Sequence, residues 1–247
     1  MTNTTTDTTT DTTTDTTTDT TIVVDLYRDI HKGLRAELFA VTLEAGSIDP
    51  DDPAGRRALA THVSAIRAVL ESHAHHEDTF IEPTLWSHLP ELAHRIATDH
   101  GGLEPRFAAL DELATAVAAG TGPGVRSELH RLYHELGSFT SDYLAHQRVE
   151  ERVVMPALQQ AIGVEAVAAI HGAIIASIPP GELAQSLAFM LPAMNADDRA
   201  ELLGGIRAGA PTDAFAAVLD LARSVLEPND LAATLQRLDR APATVAP

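Results

Sequence analysis

The sequence predicts an all-α protein built on an up-down-up-down four-helix bundle with an additional C-terminal helical region. Three observations support this fold class. Apolar residues recur at helical spacing from Ile22 onward, Ala and Leu dominate, and alternating β-branched runs bounded by turn residues are absent. Four long helical segments joined by short links are typical of such a bundle, whose core is a usual place for a metal site.

Breaking residues set the limits of the four predicted helices. Gly46 and the loop 47–53, rich in Asp and Pro, end the first helix, and Pro90 can occupy the first turn of the third. The glycine-containing turn 120–124 then separates the third helix from the fourth. The predicted ranges are about Ile22 to Ala45, Ala54 to Phe80, Pro90 to Ala119 and Val125 to Ile162.

The pattern of residue types divides the chain into three parts. Residues 1–21 are a Thr tract with regularly spaced Asp, which has no apolar groups to bury and is expected to be disordered. Residues 22–162 are the predicted bundle. Residues 163–247 hold shorter apolar stretches separated by prolines and glycines, which we interpret as a C-terminal helical cap or interaction module.

Composition excludes several classes of function. The 247 residues include no Cys, so any metal must be held by His and carboxylates. A net charge of −18 opposes binding to nucleic acid or to an anionic membrane surface. No signal-like start and no apolar run of about 18 residues are present, so we expect a cytoplasmic protein without a membrane span.

An internal repeat is the strongest chemical signal. The first copy reads His73-x3-Glu77-Asp78-x-Phe80-Ile81-x-Pro83-x-Leu85, and the second reads His146-x3-Glu150-Glu151-x-Val153-Val154-x-Pro156-x-Leu158. A weaker similarity links His31-x-Gly33-Leu34 with His100-x-Gly102-Leu103. The bundle is therefore interpreted as a duplicated helical hairpin, which suits a pair of metals.

The spacing of the repeat has a physical reason. Residues four apart on an α-helix lie about 40° apart around the axis and one turn apart along it, so one helix can present His and Glu together. Two facing hairpins would bring together six candidate metal ligands: His31, His73, Glu77, His100, His146 and Glu150. Imidazole and carboxylate ligation favours two non-haem iron ions, with manganese less favoured, and zinc would prefer four ligands at one ion.

For other residues near the six candidate ligands the sequence predicts supporting or structural roles. Asp78 and Glu151 are predicted to accept hydrogen bonds from ligand histidines, with Glu151 the better substitute ligand. Tyr27 and Tyr143 lie one turn before His31 and His146, where core packing is favoured over a role toward a bound ligand. The remaining histidines are expected on the surface or in capping roles, including the pair His130 and His134 despite its metal-like spacing.

On these motifs the chain resembles the hemerythrin HHE cation-binding family over roughly residues 22–162. The resemblance implies a bridged di-iron centre that binds dioxygen, peroxide or nitric oxide. It also implies that the six candidates are the ligands, with Glu77 and Glu150 as bridges. One departure is Glu104, which stands where the oxygen carriers have a further His.

Two functions therefore remain open. The first is a binding or sensing protein for oxygen, peroxide or nitric oxide, with a protein or redox partner. The alternative is a di-iron oxidase or oxygenase acting on a small-molecule substrate, for which Glu104 would be a third carboxylate ligand. Gly101 and Gly102 beside His100 could open a substrate pocket or allow close helix packing. Pro105 could equally turn Glu104 away from the metals.

Overall fold

A computed structural model describes residues 21–240, and its regular structure in that range is entirely helical. The predicted disordered tail falls outside this range except for Thr21, as do residues 241–247 of the C-terminal region. The helices in chain order are α1 (Arg28–Ser47), α2 (53–88), α3 (Pro90–Ala119), α4 (Val125–Ile162), α5 (Val164–Ser177), α6 (Pro180–Ala193), α7 (Ala196–Gly209), α8 (Thr212–Val225) and α9 (Pro228–Arg240).

The four long helices α1 to α4 form the part of the fold that positions the candidate site. Each packs against its neighbours in chain order, and α4 packs back on α1, which closes the set around one interior. Two apolar clusters fill that interior. One contains Leu38, Leu59, Leu110 and Leu132, and the other lies toward the opposite end and contains Leu85.

Both α2 and α4 change their hydrogen-bonding pattern at the second residue of the His-x3-Glu pair. The segments Glu77–Ile81 and Glu150–Val154 are π-helical, and the N–H groups of Glu82 and Met155 donate to the carbonyls five residues earlier. A proline follows each segment, at Pro83 and Pro156. Proline lacks an N–H and clashes with the carbonyl four residues before it, and a wider turn relieves that clash.

The ends of two helices differ from the predicted ones. Helix α1 begins at Arg28 because Asp25 Oδ1 accepts hydrogen bonds of 3.0 Å from the N–H groups of both Tyr27 and Arg28, which satisfies donors at the helix start. Helix α2 continues past the predicted end at Phe80 to His88, because the π-helical turn lets Pro83 begin a new α-helical segment. The third and fourth helices have the predicted bounds.

The C-terminal helices pack on α1 close to His31. Helix α6 lies against α1, where Phe189 and Met190 cover the buried Gly33. Polar contacts add to this packing: Arg28 pairs with Glu201 at 3.1 Å, and Lys32 pairs with Asp198. Residues beyond Gly163 thus touch the helix that carries the first candidate ligand.

Gly33 provides a test of this packing. A Cβ atom there would lie 2.6 Å from the Phe189 ring, so Gly33→Ala should lower the unfolding free energy by about 1–3 kcal/mol. The matched control is its repeat partner Gly102, which is exposed and has nothing within 4 Å of its Cβ position. Gly102→Ala should be neutral or slightly stabilising, since Ala is the better helix former. Thermal unfolding of both variants measures the difference, and equal midpoints would contradict the described contact.

Within 21–240, no single helix is both long and apolar enough to cross a bilayer, and one pair, Val125–Ile162 with Val164–Ser177, reaches the threshold only when joined across a bend of 115°.

Candidate metal centre

The six candidate ligands converge in the interior of the bundle. His31, Glu77, His100, His146 and Glu150 are all buried, and the His73 side chain is 8% exposed. Along every helix the candidates stand between residues of the two apolar clusters, as His100 does between Ile96 and Leu103. The repeat has therefore folded into one enclosed group of imidazoles and carboxylates.

The first half of this group, which we call position 1, is formed by His31, His73 and one oxygen of Glu77, with one oxygen of Glu150 at its edge. The Nε2 atoms of His31 and His73 are 3.2 Å apart. Glu77 Oε1 lies 3.1 Å from His73 Nε2, and Glu150 Oε2 lies 3.4 Å from His31 Nε2. Ligand atoms of His31, His73 and Glu77 thus surround one point, and Glu150 approaches it only through its contact with His31.

The second half, position 2, is formed by His100, His146 and the other oxygen of each glutamate. Glu77 Oε2 lies 3.2 Å from His100 Nε2, and Glu150 Oε1 lies 3.1 Å from His146 Nε2. Ligand atoms of Glu77, His100, His146 and Glu150 all fall within 4.8 Å of one another, as do those of His31, His73 and Glu77. Glu77 therefore offers an oxygen to each position, as a bridging carboxylate would, whereas Glu150 belongs to position 2 and directs its other oxygen toward His31.

The contacts fit metal ligands better than hydrogen-bonded partners. Although the nitrogens are near, none of the four oxygens of Glu77 and Glu150 accepts a hydrogen bond from residues 21–240. Two atoms each about 2.1 Å from one metal ion, at the angles of tetrahedral or octahedral coordination, are about 3.0–3.4 Å apart. Buried carboxylates without partners are costly, and a bound cation would remove that cost. The cluster can therefore hold a metal ion.

The two glutamates respond differently to burial when no metal is bound. Burial raises the pKa of Glu77 to about 7, and repulsion from the Glu150 carboxylate adds to this. Burial acts in the same direction on Glu150, but the nearby His100 and His146 outweigh it and hold its pKa below the usual range. One carboxylate of the pair is thus held as the anion, while its neighbour tends to keep a proton.

The pKa values of two candidate histidines also shift in opposite directions. Burial, followed by repulsion from His31, lowers the pKa of His73 well below its ordinary value. Burial also disfavours the charged form of His100, yet the Glu150, Glu77 and Asp78 carboxylates outweigh it and raise its pKa to about 11. A metal ion would displace such protons, because only a neutral imidazole nitrogen can be a ligand.

The outer ring nitrogens face carboxylates, and two of these contacts confirm predicted roles. His100 Nδ1 is 2.9 Å from Asp78 Oδ1, and His31 Nδ1 is 3.0 Å from Glu151 Oε1. Asp78 follows Glu77 on the first hairpin and contacts His100 on the second. Glu151 follows Glu150 on the second hairpin and contacts His31 on the first. Such contacts orient the ring and select the tautomer whose Nε2 is free for a metal.

A small cavity reaches the group from the side between α2 and α3. It has a volume of about 30 Å³, enough for one or two water-sized molecules. His73, His100 and His146 line its inner end with Glu77 and Tyr143. Its apolar walls are Leu70, Ala74, Leu103, Phe107 and Phe139, and its outer end is formed by Arg67, Glu71 and Glu104. The space suits a ligand of two or three atoms.

Glu104 and the glycines beside His100 lie away from the two positions. Glu104 is exposed at the outer end of the cavity, and α3 continues without a break through Pro105. Gly101 and Gly102 are exposed, have open space around them and do not line the cavity. Neither alternative for these glycines, a substrate pocket or close helix packing, agrees with the described geometry.

The other singled-out side chains take the predicted structural places. Tyr27 and Tyr143 are both buried in the apolar clusters, and of the two only Tyr143 lines the cavity. His130 and His134 are exposed, with their Nε2 atoms 3.0 Å apart. Among residues 21–240, no cluster of metal-binding type includes this pair.

Sequence reasoning missed two neighbours of the centre and both π-helical turns. Asp99 Oδ2 lies 3.5 Å from His146 Nδ1, and Arg35 pairs with Glu151 at 2.8 Å. Asp99 directly precedes His100, and Arg35 follows His31 by one helical turn. Their closeness in sequence to candidate ligands was the signal that could have identified them. The prolines six residues after each glutamate were the signal for the π-helical turns.

Comparison of the chain with protein-family models, curated proteins and solved structures gives no match. The functional assignment therefore rests on the residues and their geometry.

Proposed function

We propose that this is a non-haem di-iron protein of hemerythrin-like type whose centre binds or senses dioxygen, peroxide or nitric oxide. The observation that carries the proposal is the division of the buried group into two positions, each with two imidazole nitrogens, which share the Glu77 carboxylate and lie on either side of Glu150. Three ligands at position 1 and four at position 2 leave open positions on a metal that prefers more, which favours iron, and manganese after it, over zinc.

The protein's own side chains would prepare the site for a small ligand. When bound, the two irons supply redox chemistry and open coordination positions. Leu103, Phe107 and Phe139 give the cavity that leads to them apolar walls, which offer water no hydrogen bonds. Asp78 and Glu151 hold the rings of His100 and His31 in place from outside.

The size of the cavity favours binding or sensing over the alternative, an oxidase or oxygenase with a small-molecule substrate. A substrate of several heavy atoms needs a pocket about ten times larger than the 30 Å³ found beside the ligands. The third carboxylate that would suit oxygen activation, Glu104, is exposed and outside both positions.

Metal analysis with an optical spectrum tests the proposal. Purified protein should contain about two irons per chain, and its oxidised form should absorb in the near ultraviolet in a way that changes on addition of peroxide. Loading with Fe²⁺ should also raise the unfolding midpoint of the metal-free protein, because binding stabilises the folded state. A metal-free protein that cannot be reconstituted with Fe²⁺ would refute the assignment.

A further inference from the structure

The two metal positions differ in the charges just outside their ligands, although the repeat relates them. Beside position 1, the Glu151 carboxylate that contacts His31 is engaged at both oxygens by Arg35, at 2.8 and 2.9 Å. This carboxylate and guanidinium cancel each other in net charge. The charges outside the ligands of position 1 therefore contribute little to the binding free energy of a metal ion there.

Position 2 has a different surrounding. Asp78, which contacts His100, forms a group with Glu82 in which the ligand atoms lie within 4.8 Å of one another. Among residues 21–240, no Lys or Arg nitrogen lies within 4.0 Å of either carboxylate. Asp99 adds a third carboxylate, 3.5 Å from His146 Nδ1. A metal ion in position 2 is therefore attracted by negative charge that no nearby cation neutralises.

The repeat shows which residues create the difference. Arg35 stands four residues after His31, and the corresponding residue after His100 is Glu104. Glu82 stands five residues after Glu77, and the corresponding residue after Glu150 is Met155, which is fully buried. In both comparisons the residue on the position 2 side is the more negative; Glu104 is exposed and lies away from both positions, so on this side Glu82 carries the difference.

We propose that position 2 binds its metal ion more tightly and fills first, and that Arg35 and Glu82 set this order. The inference rests on the proposed two-metal centre. A unit charge near a doubly charged ion changes the binding free energy of that ion even when water screens the interaction. Residues outside the ligand shell change metal affinity by about 10–100-fold. We expect the two steps to differ by at least about tenfold.

Anaerobic calorimetric titration of the metal-free full-length chain with Fe²⁺ measures both steps. The wild type should bind two ions in resolved steps. Glu82→Gln should weaken the first step by about tenfold, and Arg35→Gln should strengthen the second by a similar factor. Arg35→Lys keeps the charge and should retain the wild-type difference between the steps, which a purely structural role of the guanidinium would not predict.

Two matched controls carry the same charge changes elsewhere. Glu91→Gln alters the first turn of α3, about 13 Å along that helix from His100. Arg131→Gln removes an exposed Arg that pairs with Glu128 near the start of α4. Both controls should bind Fe²⁺ as the wild type does, which separates a local effect from a change in net charge.

The outcomes separate this inference from the proposed function. Two ions bound in equal steps, or an unchanged first step in Glu82→Gln, would overturn the filling order and leave the di-metal centre intact. Fewer than two ions bound by the wild type would overturn the proposed centre itself. If Arg35→Gln fails to fold, Glu82→Gln decides the question by itself.

Discussion

Replacing Glu77 with Gln is expected to abolish metal binding at both positions while stabilising the metal-free fold. Glu77 places one oxygen in each position, 3.1 Å from His73 Nε2 and 3.2 Å from His100 Nε2. An amide cannot supply two anionic oxygens, so both positions lose a charged ligand. Metal content after incubation with Fe²⁺ should fall from about two ions per chain to well below one.

The stabilising half of this prediction depends on pH. The pKa of Glu77 is about 7 in the folded metal-free protein, against an ordinary value of 4.5. A carboxyl whose pKa rises on folding contributes its full stability below the lower value and loses it as the pH rises through the higher one. Gln has no charge to lose, so its advantage should be greatest above about pH 7 and should shrink toward about pH 4.5.

Thermal unfolding of the two metal-free proteins checks this expectation. At about pH 8 the Glu77→Gln midpoint should be higher, by an amount that corresponds to on the order of 1–3 kcal/mol. Near pH 5 the difference should be much smaller. A lower midpoint for the variant at the higher pH would contradict the assignment of Glu77 as a buried carboxylate without partners.

Replacing His146 with Ala is expected to remove the metal ion from position 2. His146 Nε2 contacts Glu150 Oε1 at 3.1 Å and has no substitute on α4, because its neighbour Gln147 is an amide. Loss of a direct ligand should reduce Fe²⁺ affinity at this position by at least about 100-fold, which equilibrium dialysis measures.

His134 is the matched control for His146. It lies on the same helix, is exposed and belongs to no metal-binding cluster among the described residues. His134→Ala should therefore bind the same amount of Fe²⁺ as the wild type. An equal loss in both variants would mean that the ions lie elsewhere on α4.

Much of the fold and of the candidate site was predictable from sequence because both depend on local periodicity. Helix-breaking residues such as Gly120 and Pro90 affect only the helical turn in which they lie. The bounds of the third and fourth helices were therefore predicted correctly. The His-x3-Glu spacing similarly places two side chains on one face of a helix wherever that helix packs. The six candidates were therefore identifiable before their contacts were known.

The sequence by itself determined the helical class, the duplicated hairpin and the residues able to hold metal. Only the tertiary structure decided how these residues pair across helices. Contacts such as those of Arg35 with Glu151 and of Asp78 with His100 join residues 116 and 22 positions apart. Helical periodicity relates a residue only to neighbours within a few turns, whereas the charge around each metal position depends on which helices face each other.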